Sequence, residues 1–315
     1  MRRSDANRRP DIQGLRAVAV LSVIAFHAGL PIPGGFIGVD VFFVISGFVI
    51  TAMLIRERSR YGRIRLGRFY LRRFKRLTPA LAVVVAVTMV AAAVLLSPFG
   101  SQQTAALTGI GAMLLAANFV ISKTSGGYFN APAEANPLLH TWSLAVEEQF
   151  YLVFPVLLVI GWVIAARTSR FPRVPLLLVA GLGLASFAVA VLASGLSNEG
   201  SWLLGFYGPV GRSWEFAAGA LIAFAWPRIP AFSRRAGLLI GGAGAIALAI
   251  GFAILGPQTP FPGIWTLIPV GATVLLIVAG RHDGNAVTDA LSTPVMTRVG
   301  DLSYSMYLWH WPFLV

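Results

Sequence analysis

Residues 10–51 read PDIQGLRAVAVLSVIAFHAGLPIPGGFIGVDVFFVISGFVIT. Two apolar runs, 14–30 and 36–55, flank a five-residue proline- and glycine-rich gap at 31–35 that holds no basic residue. A helix crossing a hydrocarbon core needs about 20 mostly apolar residues, and each run comes close to that length. The pattern repeats along the chain. Further runs lie at 79–97, 143–165, 175–194, 210–227, 237–256 and 263–280, with a shorter one at 105–121. A last run begins at 303 and reaches Val315, the end of the sequence, after only about 13 residues, below the length that a crossing requires. The expectation is an all-α polytopic membrane protein: one transmembrane domain over 1–315, a bundle of about ten hydrophobic segments, incomplete at its C-terminus.

Composition supports that class. Hydrophobic residues make up 57% of the chain and charged residues 12%, against roughly 25% charged in soluble domains. So few charges cannot cover a water-exposed surface. The chain has no cysteine, which excludes disulfides, thiolate metal sites and a cysteine nucleophile; no metal site and no bound cofactor are expected. Net charge is +13, and only Lys75 and Lys123 among the basic residues are not arginine. The bases are confined to gaps between apolar runs, so they read as cytoplasmic topology rather than as a nucleic-acid surface.

Orientation follows from those gaps. Residues 1–13 carry four arginines, and Arg56 to Arg76 carries nine plus Lys75. Further bases mark 167–173, 228–235 and 281–298, whereas 31–35, 98–104 and 257–262 have none. Keeping every basic gap inside requires that 105–121 dip in and return rather than cross. That segment is short and carries Gly109, Gly111 and Asn118, and broken backbone is tolerated at depth when buried in protein. The N-terminus is then cytoplasmic. Glycines at 237, 241, 242, 244 and 251 predict close helix packing.

Ionisable residues at membrane depth are costly and mark functional sites by default. Here they are Arg16, His27, Asp40, Glu147, Glu148, Arg212, Glu215 and His310. The topology above puts His27, Asp40, Glu147, Glu148, Arg212 and Glu215 in the outer half, with His140 just before the acidic pair. Arg16 and His27 are eleven residues apart, about three turns, and share a helix face. On the inner side the bases from Arg63 to Arg76 are interleaved with Phe69, Tyr70 and Phe74. That run suits a topology signal or anionic lipid, and equally a phosphate-bearing cytosolic donor, since guanidinium pairs bidentately with phosphate. Arg73 and Arg76 are three apart and so neighbours on a helix. From these residues alone an enzyme, a proton-coupled transporter and a structural lipid scaffold all stay open.

Five blocks narrow the choice: RPDIQGLRAVAVLSVIAFHA (9–28), GGFIGVDVFFVISGFVIT (34–51), FYLRRFKRLTPAL (69–81), PLLHTWSLAVEEQFYLVFP (137–155) and GDLSYSMYLWHWP (300–312). In this order they resemble the acyltransferase-3 family, in the branch of bacterial membrane O-acetyltransferases acting on O-antigen lipopolysaccharide, peptidoglycan and other cell-envelope glycans. The family's arginine-x10-histidine element falls on Arg16 and His27, its arginine-x-x-arginine element on Arg73 and Arg76, and its acidic position on Glu147, with Glu148 beside it. The resemblance implies a multi-pass inner-membrane enzyme that takes acyl-CoA, most simply acetyl-CoA, as co-substrate from the cytoplasm and acylates a sugar hydroxyl on the outer side. It also implies a re-entrant segment after the third span. Some members continue into an extracytoplasmic domain.

The chemistry then assigns roles. A sugar hydroxyl needs a base, and histidine is matched to that task near neutral pH; His27 is expected to act as general base or as a transient acyl carrier. Asp40 or Glu147 is expected to orient its imidazole, as the third member of a triad does. Arg16 is expected to hold the donor's pantetheine or carbonyl, and Arg73 and Arg76 its phosphates. His140, Glu148, Arg212 and Glu215 are the candidates on the acceptor side.

Overall fold

The computed structural model describes residues 9–125, 135–168, 173–194, 203–230, 232–281 and 284–315. Among them it is helical, without strands. In chain order the α-helices are α1 Pro10–His27, α2 Gly38–Tyr61, α3 Leu66–Leu95, α4 Ser101–Met113, α5 Ala117–Ser125, α6 Thr141–Arg167, α7 Val174–Ser194, α8 Pro209–Ala225, α9 Arg234–Ile254, α10 Leu267–Ala279, α11 Ala286–Leu291 and α12 Pro294–Leu314.

Local chemistry sets several of these ends. Proline opens α1, α8 and α12, where its missing N–H costs nothing and its fixed φ suits the first turn. The α2 helix stops at Gly62, whose φ of 69° is a left-handed cap that favours glycine. Ser233 and Asn285 cap α9 and α11 by accepting backbone N–H groups through their side chains, as N-cap residues do.

Among the described residues, five helical stretches are long and apolar enough to cross a membrane: Gly35–Tyr61, Leu66–Leu95, Thr141–Arg167, Val174–Ser194 and Arg234–Ile254. The expected count of about ten hydrophobic segments is not confirmed by that measure. The run at 263–280 becomes the short helix α10, after a 3-10 turn at Ile264–Thr266. The segment 105–121 is two helices, α4 and α5, packed on each other across a turn at 114–116. With 13 and 9 residues they extend roughly 20 and 14 Å at 1.5 Å per residue, short of a hydrocarbon core of about 30 Å. Leu115 takes a left-handed φ of 59° at the turn, and its carbonyl accepts from the Gln149 side chain at 2.7 Å.

The last helix corrects the sequence reading. It starts at Pro294, not 303, and runs 21 residues. Hydropathy misses its first half because Arg298 and Asp301 lie there, both on the exposed side. The third helix likewise starts thirteen residues before the apolar run at 79, carries through Pro79, and includes the basic residues 68–76, of which Arg73 is half-buried and the others are exposed.

The core forms where α2 crosses α8 and α1 crosses α12. At the first crossing Gly47 lies against the backbone of Phe216, and Gly219 against that of Val44; a Cβ at either would enter the opposing main chain. At the second, Gly300 lies against the backbone of Gln13, and just beyond it Gly14 lies against the backbone of Leu291 at the end of α11. Such small-residue contacts bring helix backbones together, and they set the depth of every polar side chain described below. In α9, Gly237, Gly241, Gly244 and Gly251 face neighbouring side chains as expected, while Gly242 faces open space.

Candidate active site

The polar residues at membrane depth form three groups rather than one outer cluster.

The first group is built from imidazoles. His27 closes α1, and α12 presents His310 beside it, with His27 Nδ1 2.9 Å from His310 Nε2. The rings lie within 13° of parallel, centroids 5.1 Å apart. Trp311 meets His27 edge-on at 4.6 Å. His310 Nδ1 lies 2.7 Å from the Tyr307 carbonyl. His140, the residue before α6, is buried with its ring 5.5 Å from His310 and 5.7 Å from Tyr307. Tyr307 ties this loop down: its hydroxyl donates to the His140 carbonyl at 3.1 Å and shares a 2.6 Å hydrogen bond with Ser143. Three of the chain's four histidines therefore converge; the fourth, His282, lies outside the described residues.

The second group joins what the sequence reading held apart. Arg73 donates through Nε and Nη2 to the Glu148 carboxylate at 2.5–2.9 Å. Its guanidinium carbon sits 3.2 Å from the centroid of the Tyr151 ring. Glu147 accepts from the Ser46 and Tyr151 hydroxyls, each at 2.5 Å, and lies 4.0 Å from Arg73. Arg16 donates to Ser303 Oγ at 3.0 and 3.2 Å and covers the ring of Phe42. Glu147 and Glu148 were expected beside His27, and Arg73 at the inner mouth. The reason they meet is helix length: Glu147 is six residues into α6, about 9 Å at 1.5 Å per residue, and Arg73 is seven residues into α3.

The third group is a buried ion triad. Arg212 Nη1 is 3.0 Å from Asp40 Oδ1 and 3.2 Å from Glu215 Oε1, with all three side chains at most 1% exposed. Four aromatic rings surround the guanidinium, those of Phe43, Trp142, Phe206 and Phe261, at 5.3–5.6 Å. Asp40 was expected to orient His27; its hydrogen bond instead goes to Arg212. Arg212 and Glu215 were expected to face an acceptor, and the structure encloses them.

Two cavities lie along the second group, and Ser143 and Tyr307 of the first group line the smaller one. One of about 250 Å³ is lined by Tyr70, Arg73, Phe74, Glu148, Tyr151 and Tyr304 among others. A smaller one of about 40 Å³ is lined by Arg16, Phe42, Ser143, Glu147, Ser303 and Tyr307 among others. Leu144 and Tyr304 belong to both linings. The two linings together extend from Arg73 and Phe74 in α3, past Arg16 and Glu147, to Tyr307, whose carbonyl lies 2.7 Å from His310 Nδ1. Arg76 is exposed, outside both linings.

The sequence reading missed Ser46, Tyr151, Ser303 and Tyr307 and gave His310 no role. A signal was present. Ser303, Tyr307 and His310 stand at i, i+4 and i+7 of one helix, a single inward face.

The acyltransferase domain family, Acyl_transf_3, matches residues 9–315. The peptidoglycan O-acetyltransferase OatA of Listeria monocytogenes is 32% identical over 319 residues, covering 97% of this chain and 49% of the relative. A putative O-acetyltransferase of Staphylococcus aureus, SACOL0978, is 33% identical over 315 residues, covering 96% and 50%. The S. aureus O-acetyltransferase OatA is 33% identical over 316 residues, covering 97% and 50%. The chain spans about half the length of these relatives. No solved structure matches. With a family match over nearly its whole length and the five sequence blocks folded into one helical bundle, the chain belongs to the acyltransferase-3 family.

Proposed function

We propose that the chain is a multi-pass O-acetyltransferase of a bacterial inner membrane, with its N-terminus in the cytoplasm, α4 and α5 as a re-entrant hairpin, and acetyl-CoA as donor. Its acceptor is a hydroxyl of an extracytoplasmic cell-envelope glycan. The names of the relatives favour peptidoglycan over lipopolysaccharide O-antigen. The observation that carries this reading is the pair of neighbouring cavities whose linings extend from Arg73 and Phe74 to Tyr307, on the same helix face as His310, which lies 2.9 Å from His27.

In this mechanism the donor's thioester enters from the α3 side and reaches past Arg16 and Glu147. The acceptor hydroxyl approaches His27. Its oxygen bonds to the thioester carbonyl carbon, its proton passes to the imidazole, and the carbon–sulfur bond breaks with the electron pair leaving on the CoA thiolate. The imidazolium returns the proton to that thiolate. His27 is thus base and then acid. A version in which the acetyl group first rests on His27 uses the same geometry.

The test uses the absence of cysteine: a thiol reagent added to purified protein reads only the CoA released from acetyl-CoA. His27→Ala and His27→Gln are each expected to lose on the order of 10²–10⁴-fold in transfer to a soluble peptidoglycan oligosaccharide, while still inserting and still binding donor. Near-normal activity in His27→Gln would remove the imidazole from the chemistry.

A further inference from the structure

We infer that His310 is the positioning residue that fixes the tautomer of His27 and shares the charge formed there, the part expected of Asp40 or Glu147. The inference rests on the acyl-transfer reading for its purpose and on hydrogen-bond geometry for its content. A carbonyl oxygen only accepts, so the 2.7 Å contact between His310 Nδ1 and the Tyr307 carbonyl places the ring proton of His310 on Nδ1. In a neutral His310, Nε2 is then an acceptor. The atom 2.9 Å from it is His27 Nδ1, which must be the donor. The remaining nitrogen of His27, Nε2, therefore carries the lone pair.

That arrangement is what a base needs. One nitrogen is anchored, the other holds the electron pair, and a second group accepts from the anchored N–H. When Nε2 takes the hydroxyl proton, the new imidazolium keeps its Nδ1–H directed at the lone pair of His310. Both partners sit on rigid elements: His27 is the last residue of α1, His310 lies within α12, and the two helices meet closely where Gly300 lies against the backbone of Gln13. Trp311 and Phe26 flank His27, with ring centroids at 4.6 and 5.3 Å, and limit its rotation. Neither carboxylate offered by the sequence fills this place: Asp40 is bound to Arg212, and Glu147 accepts from Ser46 and Tyr151.

The experiment has two arms. In the first, ring ¹⁵N NMR on the full chain labelled at its four histidines, with His27 assigned by the signal lost in His27→Gln, reads the tautomer without turnover. The Nδ1–H form of His27 is expected in wild type; the Nε2–H form would overturn the inference. In the second, CoA release is followed for three variants. His310→Ala is expected to lower kcat on the order of 10²-fold, with the KM for acetyl-CoA unchanged. His310→Gln, whose Oε1 can accept from His27 Nδ1, is expected to regain most of that loss. His310→Glu, which puts a carboxylate against the imidazolium, is expected to move the acid limb of the pH profile of kcat/KM to higher pH. A Gln variant as inactive as Ala, or an unmoved acid limb in the Glu variant, would reduce His310 to packing. A wild-type protein that releases no CoA would sink the acyl-transfer reading and leave the tautomer measurement standing.

Discussion

Arg73 and Glu148 form a forked ion pair beneath the face of Tyr151, with Nε and Nη2 both engaged at 2.5–2.9 Å. A guanidinium so placed has its fork committed to a carboxylate, so its first effect is on the architecture of the cavity that both side chains line. Arg73→Ala is expected to lower stability by roughly 1.5–3 kcal/mol, the range for losing hydrogen bonds to a charged group, because Glu148 is left without its partner. Arg73→Ala combined with Glu148→Gln should recover part of that loss. Thermal unfolding of the purified variants at one detergent concentration checks it, and additive losses would mean that the two side chains are not coupled.

Arg76 differs, although the two share a sequence motif. It is exposed, and among the described ion pairs none involves it. Arg76→Ala is expected to leave stability within about 0.5 kcal/mol, as for surface substitutions generally. It should weaken acetyl-CoA binding by roughly 1.5–3 kcal/mol if the side chain grips a phosphate. Titration of the purified protein with acetyl-CoA in parallel with desulfo-CoA and dephospho-CoA locates the group that Arg76 meets. Unchanged affinity for all three would make Arg76 a topology residue.

The buried triad predicts a different outcome. Removing one partner from a buried ion pair typically costs 3–5 kcal/mol, because the remaining charge is stranded. Arg212→Met is therefore expected to cost about that much, since Asp40 and Glu215 would both lose their cation. Arg212→Met with Asp40→Asn and Glu215→Gln should be closer to wild type than the single variant. Expression level and melting temperature report this. A triple variant that melts below the single one would place the value of the triad in its packing within the aromatic cage.

How far the sequence could go depended on the kind of signal. Composition and apolar runs show a helical membrane protein because hydropathy sums over about 20 residues and tolerates local error. They fail for α12, where Arg298 and Asp301 hide half a helix on its exposed face. They fail for α3 as well, where basic residues counted as a gap between spans are the first turns of a long helix. Site residues were legible as types, not as partners. His27, Glu147 and Arg73 stand out because charge at depth is costly, yet depth was counted from assumed span ends. Errors of several residues at two helices were enough to separate Arg73 from Glu148 on paper by half a membrane. Asp40 was paired with His27 because they are thirteen residues apart in sequence. The close glycine crossing of α2 and α8 brings Arg212 to it instead, and nothing in a single chain records which helices cross.

Passage between the two cavities is expected to be sensitive to volume at Leu144, which lines both. Leu144→Trp should abolish acetyl transfer while acetyl-CoA still binds on the α3 side. The added volume is expected to cost on the order of 1–3 kcal/mol, so the variant is compared with Leu144→Phe at a temperature where both are folded. CoA release and donor binding are measured together. Full transfer in a folded Leu144→Trp would mean that the acyl group reaches His27 by another path.

The last prediction concerns the hairpin of α4 and α5, on which the orientation of the site depends. Ser125 and Ser169 are natural places for a reporter cysteine, but the Ser125 side chain and the whole of Ser169 lie outside the described residues. Lys123 in α5 and Arg167 at the end of α6 are both exposed and serve instead. Neither α4 nor α5 is long enough to cross on its own, and Leu115 at their turn is tied to Gln149 inside the bundle. If the pair enters and leaves on one side, α3 and α6 are the only crossings between the basic run ending at Arg76 and Arg167. Lys123→Cys should then react with an impermeant maleimide added to intact cells or spheroplasts, and Arg167→Cys should react only after permeabilisation. The native chain has no cysteine, so the background is blank. The reverse pattern, with Arg167→Cys labelled in intact cells and Lys123→Cys labelled only after permeabilisation, would mean that the hairpin completes a crossing. The sidedness of α6, and with it that of Glu147 and Glu148, would then have to be redrawn.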